Sequence, residues 1–213
     1  MDLNSKFPAI SDLRAKARKR IPHFAWEYLD SATGDESTSH RNRSALDAIH
    51  FVPRGLRGEI SPQLKTKFLD QDYSVPFGIA PVGMSGLMWP GAETSLASFA
   101  AEAKIPYCMS TVATTTPEDV APHIGNMGWF QIYPPRDEAI RNDMLLRVKE
   151  AGFKVLVVTI DVPAQARRER QIRGGLVQPP VLTPRILSQV AKCPVWAVKT
   201  ALNGQPRMKM IEG

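Results

Sequence analysis

Cysteine is scarce in this sequence, with only Cys108 and Cys193 among 213 residues. Two such distant thiols form neither a disulfide framework nor a zinc-binding spacing, and Cys108, inside an apolar run, is expected to be an inert core residue. No run approaches the roughly 18 apolar residues of a membrane span. The opening MDLNSKFPAI also lacks the apolar core of a signal peptide. We therefore expect a cytoplasmic protein, with peripheral contact at the inner membrane left open.

Acidic residues are outnumbered, with 27 Lys and Arg against 21 Asp and Glu, so the net charge is +6. This balance permits attraction to anionic substrates, a flavin phosphate, acidic membrane surfaces or nucleic acid. The patterned basic and aromatic residues of a nucleic-acid module are missing, so we expect no nucleic-acid partner. Trp196 with nearby lysines would suit a membrane surface, but an ordinary amphipathic helix is the favoured interpretation there.

Four short apolar runs alternate with helical stretches, which is the rhythm of a parallel α/β barrel. The runs cover 75–80, 106–110, 127–131 and 154–159. A complete TIM (β/α)₈ barrel needs roughly 250 residues, and here about 70 residues precede the first run. We therefore predict an α/β fold with the first four βα units of a TIM barrel and an N-terminal helical cap.

The predicted organisation has three segments. Residues 1–70 form the helical cap and lead-in, with helices near 10–20, 23–29 and 39–48; residues 71–166 form the first half of the barrel; residues 167–213 form a loop and a helix beginning at Thr183-Pro184. The run 155–158 is uniformly apolar, as expected of a parallel strand covered on both faces. With four units only, it would also be left as an apolar edge.

Helix-capping signals separate the predicted strands. Pro90-Gly91 opens a helix that runs to about Ala103. Thr116 caps the next helix, with Pro117 in its first position. Asp137 caps the third, and Gly152 stands where a helix ends.

Polar or small residues follow each of the four runs. They are Ala80-Pro81-Val82-Gly83, Ser110, Gln131 with Tyr133, and Thr159 with Asp161. Ligand-contacting residues of α/β barrels lie at the carboxyl ends of the strands. A single polar strand end is ordinary, but four in succession favour a common site. Gln131 can donate and accept, and Ser110 and Thr159 offer hydroxyls, which suits the pyrimidine edge of a flavin.

The sequence resembles the FMN-dependent L-2-hydroxy-acid oxidases and dehydrogenases. The matching stretches are HFAWEYLDSATGDE (23–36), RNRSALDAIHFVPRGL (41–56), VPFGIAPVGMSGLMWPGAE (75–93), MSTVATTTPEDVA (109–121), WFQIY (129–133) and VLVVTIDVPAQARRE (155–169). The resemblance implies FMN as cofactor, contacted by the backbone of Ala80, Pro81, Val82 and Gly83 and hydrogen-bonded by Ser110, Gln131 and Thr159.

The resemblance also implies the substrate-binding residues. Tyr28 and Tyr133 would direct phenols at the carboxylate and the reacting oxygen, with Tyr133 in the catalytic set, and Arg168 would pair with the carboxylate. A guanidinium can grip a carboxylate through two hydrogen bonds, although the run 167–170 also has the character of solvated surface. Tyr133 follows Gln131 by two residues, so both side chains share a face of an extended strand.

The catalytic base of the family, a histidine, is expected to be absent from this chain. The four histidines are His23, His40, His50 and His123, all in cap or connecting segments. Since a general base must lie within hydrogen-bond reach of its proton, we expect the isolated chain to be inactive. The alternatives are a truncated sequence, one piece of a nicked enzyme, or a self-sufficient half-barrel.

The implied reaction is oxidation of a lactate-like L-2-hydroxy acid to the 2-oxo acid, with hydrogen passing to FMN N5 and electrons to a quinone, a cytochrome or oxygen. Val112, where relatives for small substrates often have an aromatic residue, indicates a roomier pocket. We expect a homo-oligomer or a complementing C-terminal half as partner. The alternatives are a non-catalytic binding or assembly fragment and a different flavin-binding TIM-barrel oxidoreductase.

Overall fold

The computed structural model describes residues 2–161, 164, 166–176 and 181–211, so the predicted loop after the last strand lies partly outside the described residues. The chain forms two compact units. The helical unit comprises Met1–Ile60 and Ala164–Leu202, and the sheet unit comprises Ser61–Pro163 and Asn203–Gly213. The first and third predicted segments thus belong largely to one unit, because the chain returns to its first helices after the last strand.

The elements follow one another along the chain in this order. The helices are α1 Leu3–Lys6, α2 Ile10–Arg18, α3 His23–Asp30, α4 Ser37–Asp47, α5 Ser85–Met88, α6 Ala92–Ala103, α7 Pro117–Ile124, α8 Glu138–Glu150, α9 Glu169–Gly174, α10 Pro184–Ala191 and α11 Pro194–Asn203. The strands are β1 Thr66–Phe68, β2 Gln71–Tyr73, β3 Tyr107–Ser110, β4 Gly128–Ile132 and β5 Val155–Val158.

Aromatic packing on α3 forms the core of the helical unit. Phe24 and Trp26 are buried, and the ring of Phe24 meets that of Trp196 edge to face, with centroids 5.9 Å apart. Trp196 is only 4% exposed, so the interpretation as a surface anchor is wrong and the tryptophan is a core residue. Among the described residues, no helix has the length and apolar character needed to cross a membrane.

A three-stranded parallel sheet, in the order β3-β4-β5, is the centre of the sheet unit. Tyr107 pairs with Gly128, and Trp129 with Val155. The strand predicted at 75–80 is wrong, because only Ile79 pairs, through an isolated parallel bridge to Tyr107. In this register the next ladder bonds would run from residue 81 N to Cys108 O and from residue 106 N to Phe77 O. Both donors are prolines, Pro81 and Pro106, which have no N–H, so the pairing is limited to Ile79.

One face of the sheet packs against the connecting helices. Tyr107, Met109, Phe130 and Ile132 are buried on this face and belong to one apolar cluster with residues of α6, α7 and α8, including Ala97, Ala100, Val120, Ile124, Met144 and Val148. The side chains alternate along each strand, so the neighbouring residues lie on the opposite, interior face. The predicted caps of α7 and α8 are confirmed, since Thr116 accepts from Asp119 N and Asp137 from Ala139 N.

The β5 strand lies at the edge of the sheet. Leu156 and Val158 are 44% and 48% exposed, so the expectation that both faces are covered is wrong, whereas the expected apolar edge is confirmed. β5 is the last strand in the sheet order, and its outer side has no strand partner among the described residues. Such an edge presents unpaired backbone groups to any further strand.

A hairpin that the sequence did not indicate covers part of the interior face. β1 and β2 pair antiparallel around Leu69 and Asp70, both with positive φ. The phenol of Tyr73 accepts a hydrogen bond of 2.9 Å from the indole of Trp129, and Phe68 packs on the same indole. The hairpin therefore seals the interior face near the beginning of β4, away from the carboxyl ends of the strands.

Candidate functional site

The three predicted hydrogen-bonding residues meet at the carboxyl ends of the parallel strands. Ser110 and Gln131 are register partners on β3 and β4, and Thr159 follows β5, with its N–H donating to Ile132 O at 3.0 Å. Ser110 Oγ donates to Gln131 Oε1 at 3.1 Å, and Gln131 Nε2 donates to Thr159 Oγ1 at 2.8 Å. We call this row of side chains the polar row.

The polar row keeps hydrogen-bonding capacity for a ligand. Gln131 has a second amide hydrogen and a second lone pair on Oε1. Thr159 accepts from Gln131, and no acceptor among the described residues takes its hydroxyl proton. The row thus offers one acceptor, Gln131 Oε1, and two donors, Gln131 Nε2 and the Thr159 hydroxyl, which are the group types that the one N–H and the two carbonyls of a flavin's pyrimidine edge require. The row fits such an edge.

An apolar cavity of about 490 Å³ lies on the interior face of the same strands. Cys108, Trp129 and Val157 line it, together with Ala80 and Pro81 from the loop after the Ile79 bridge. Burial raises the pKa of the Cys108 thiol to about 12, so the thiol stays protonated near neutral pH. This supports the interpretation of Cys108 as an inert core residue.

The loop that carries Ala80 to Gly83 is tied down by a buried carboxylate that the sequence did not indicate. Glu93 Oε1 accepts hydrogen bonds from Gly86 N, Thr114 N and Thr114 Oγ1 at 3.1, 3.0 and 2.8 Å. Met84 N also donates to Val112 O at 2.8 Å. These bonds join the loop after Ile79 to the loop after β3. Their only sequence signal is an acidic residue in the first turn of α6.

Gly86 permits this close approach of the two loops. A Cβ added at Gly86 would overlap the hydroxyl of Thr114, which would have to rotate and lose its bond to Glu93. Alanine is favoured over glycine in a helix by up to about 1 kcal/mol, but overpacking outweighs that gain. We expect Gly86→Ala to lower the free energy of unfolding by about 1–2 kcal/mol in urea denaturation.

Gly55→Ala is the matched control, because a Cβ at Gly55 meets nothing within 4 Å and should cause no loss of stability. If Gly86→Ala were as stable as the parent protein, the close packing of Gly86 against Thr114 would be refuted.

Tyr133 lies directly after β4 in the sheet unit. Its side chain is 43% exposed, and its backbone N–H donates to Thr111 Oγ1 at 3.1 Å. Tyr133 is therefore the first residue beyond β4, two positions after Gln131 of the polar row.

Tyr28 and Arg168 belong to the helical unit. Tyr28 is half-buried on α3, and its carbonyl accepts from Gln171 Nε2 at 3.4 Å. Arg168 is exposed immediately before α9, and within the described ranges no carboxylate pairs with it.

Arg170, two residues after Arg168, is surrounded by carboxylates. It pairs with Glu27, Asp30 and Glu36 at 2.6, 3.0 and 3.1 Å, which fastens α9 to α3 and to the loop after it. Hydrogen bonding to Glu27 raises the pKa of Arg170 further above its ordinary value. Burial by itself would raise the pKa of Asp30, but hydrogen bonds from Arg14 and Arg170 outweigh it and lower that pKa.

The histidines lie away from the polar row in sequence and in secondary structure. His23 is on α3, His40 on α4, His50 in the segment after α4 and His123 on α7. None of them follows β3, β4 or β5. Among the described residues, no group of three or more histidine, cysteine or acidic side chains could hold a metal ion.

The fold and the polar row define a partial parallel α/β barrel with a hydrogen-bonding rim suited to a flavin. Residues 17–212 match the FMN-dependent dehydrogenase family, and the chain belongs to this family. The predicted family and its cofactor, FMN, are confirmed by this match.

Named relatives agree with this assignment. The chain is 34% identical to an L-lactate dehydrogenase of Pseudomonas syringae pv. syringae (strain B728a), covering 92% of this chain and 51% of that protein. It is likewise 34% identical to an L-lactate dehydrogenase of Vibrio parahaemolyticus serotype O3:K6 (strain RIMD 2210633), covering 93% and 52%. The chain therefore spans about half the length of the curated relatives it matches.

Solved structures share the fold. The monotopic membrane protein (S)-mandelate dehydrogenase superposes with a TM-score of 0.87 at 29% identity, over 93% of this chain and 53% of that one. A mandelate oxidase variant superposes with a TM-score of 0.75 at 27% identity, over 89% and 58%. The predicted partial barrel is thus confirmed at the level of the fold.

Proposed function

We propose that this chain contributes the flavin-edge half of the active site of an FMN-dependent L-2-hydroxy-acid dehydrogenase or oxidase. The observation that carries the proposal is the continuous hydrogen-bonded row of Ser110, Gln131 and Thr159. Lactate and mandelate, the acids in the names of the relatives, are both 2-hydroxy acids.

Bound FMN would supply the acceptor, at N5, for the hydrogen removed from the substrate's α-carbon. The polar row would hold the pyrimidine edge and fix the ring in its plane. The backbone of Ala80, Pro81, Val82 and Gly83 would pass along the ring, and this loop is largely exposed. The three hydrogen bonds that Glu93 accepts from Gly86 and Thr114 fix the position of this loop.

Substrate binding is assigned to Tyr28, Tyr133 and Arg168. Arg168 has no carboxylate partner in the described chain, so it can pair with the carboxylate of a hydroxy acid through two hydrogen bonds. Tyr133 would direct its phenol at the reacting oxygen, as a member of the catalytic set. Val112 is half-buried beside Ser110 and leaves room for a side chain of lactate size or larger.

The proposed general base is a histidine outside this sequence, so the isolated chain is expected to bind FMN without oxidising substrate. Reduced FMN would pass electrons to a quinone, a cytochrome or oxygen. A homo-oligomer or a complementing C-terminal half is the proposed protein partner. Peripheral membrane contact is proposed from the relative described as monotopic and from the exposed Leu187 and Val195 on α10 and α11.

The test is a flavin titration of the purified chain. We expect FMN fluorescence to be quenched and its absorption bands to shift on binding, while anaerobic L-lactate or (S)-mandelate shifts the spectrum without bleaching it. Arg168→Met should abolish the shift caused by the acids and leave FMN binding unchanged. Absence of FMN binding would favour a non-catalytic assembly fragment. Bleaching by either acid would refute the expected inactivity, and an unaltered Arg168→Met response would refute the assignment of Arg168 to the substrate carboxylate.

A further inference from the structure

Thr111 joins the ends of β3 and β4 through its side chain. It is only 2% exposed. Its N–H and its hydroxyl both donate to Gln131 O, at 2.9 and 2.6 Å. The same hydroxyl oxygen accepts from Tyr133 N at 3.1 Å. One side chain therefore holds the backbone of Gln131 and of Tyr133 at once.

The hydroxyl takes the place of a backbone carbonyl in the ladder. In a regular parallel pair, the next bond after Thr111 N to Gln131 O would run from Tyr133 N to the carbonyl of Thr111. Here β3 ends at Ser110 and the chain turns, with Ala113 N donating to Ser110 O at 3.0 Å. The hydroxyl of Thr111 satisfies Tyr133 N instead, so Tyr133, the first residue after β4, stays hydrogen-bonded to the residue that follows β3.

A hydroxyl can do this because it offers one donor and two acceptor positions. Serine retains both functions, whereas valine, which has nearly the same shape as threonine, retains neither. Without the hydroxyl, Tyr133 N loses the hydrogen-bond partner that ties it to Thr111.

We propose that Thr111 is a positioning residue that aligns the amide of Gln131 and the phenol of Tyr133 on one face of the site. This inference rests on the proposed function, since it assigns Thr111 the task of holding the flavin edge and the substrate tyrosine in register. The polar row depends on it because Gln131 is the central member, bonded to both Ser110 and Thr159.

The test compares Thr111→Val with Thr111→Ser in the whole chain. The readouts are the FMN dissociation constant by fluorescence quenching, the shift that L-lactate causes in the spectrum of bound FMN, and amide hydrogen exchange of Tyr133 by NMR. For Thr111→Val we expect about tenfold weaker FMN binding, loss of the lactate shift and at least about tenfold faster exchange at Tyr133. Thr111→Ser should stay within about twofold of the parent in all three.

The outcomes separate this inference from the proposed function. A parent chain that fails to bind FMN overturns the proposed function and the inference with it. If the parent binds FMN, a Thr111→Val variant with unchanged affinity and lactate shift overturns the inference alone, whatever its exchange rate. Thr111→Ser as impaired as Thr111→Val also overturns it. Should Thr111→Val not fold, Thr111→Ala against Thr111→Ser makes the same comparison, because these two differ only in the hydroxyl.

Discussion

Arg170→Met is expected to lower the free energy of unfolding by about 3 kcal/mol, the low end of the cost of removing one partner from a buried ion pair. The side chain of Glu27 is 9% exposed and that of Arg170 is 29% exposed, so the variant would leave a largely buried carboxylate without its cation. Asp30 and Glu36 would lose a partner as well. Urea denaturation at neutral pH, followed by tryptophan fluorescence, measures the loss.

Arg168→Met is the matched control. It removes the same charge, but from an exposed side chain that lies two residues before Arg170. Its effect should stay within about 0.5 kcal/mol, as for most surface substitutions. Equal stability losses in the two variants would contradict the structure, since the difference depends entirely on which arginine meets the three carboxylates.

The free energy of unfolding of the unsubstituted chain should depend on pH through the same carboxylates around Arg170. The pKa of Asp30 is lowered because hydrogen bonds from Arg14 and Arg170 outweigh the opposing effect of burial, and that of Glu36 is lowered by Ala32 N and then Arg170. A depressed folded-state pKa contributes stability that is present above the ordinary carboxyl pKa of about 4. This contribution is lost as the pH falls through the lowered pKa values of Asp30 and Glu36. In Arg170→Met, the free energy of unfolding should therefore decrease less steeply as the pH is lowered.

Gln131→Leu is expected to weaken FMN binding by roughly a hundredfold. Leucine has a similar size, but the substitution removes the two hydrogen bonds of Gln131 within the polar row, to Ser110 and Thr159, together with the amide group proposed to bind the flavin. Losing two or three hydrogen bonds in a buried site, at about 1 kcal/mol each, corresponds to this factor. The FMN dissociation constant by fluorescence quenching is the measurement.

Ser110→Ala and Thr159→Val serve as graded controls, because each removes only an end of the row. Each should weaken FMN binding by about tenfold or less. The central position of Gln131 predicts that its loss exceeds either of the others. A Gln131→Leu variant that binds FMN as well as the parent would place the flavin edge elsewhere.

Residues close together in the chain were predictable because their physical signals are local. Thr116 and Asp137 cap helices by bonding N–H groups two or three residues away. The apolar runs at 107–110 and 155–158 form strands, as their local hydrophobic pattern predicted. The rim of the partial barrel follows from these features, since parallel strands end at one edge.

The parts that escaped prediction depend on partners distant in sequence. The hairpin turns at Leu69-Asp70, which lacks the Asn-Gly or Asp-Gly signal of such a turn and gains its support from Trp129. The run 75–80 looked like a strand, yet the prolines at its pairing positions reduced it to the Ile79 bridge. The structural role of Glu93 was not predicted, because its hydrogen-bond partners, Gly86 and Thr114, come from two separate segments of the chain.

The sequence by itself determined the alternation of strands and helices, their caps and the identity of the rim residues, because hydrophobic periodicity and capping act over a few residues. The tertiary structure alone decided which arginine of the run 167–170 pairs with three carboxylates and which is exposed, and that the hydroxyl of Thr111 accepts the hydrogen bond of Tyr133 N. Both depend on the distances between segments up to about 140 residues apart in the chain, which no local pattern encodes.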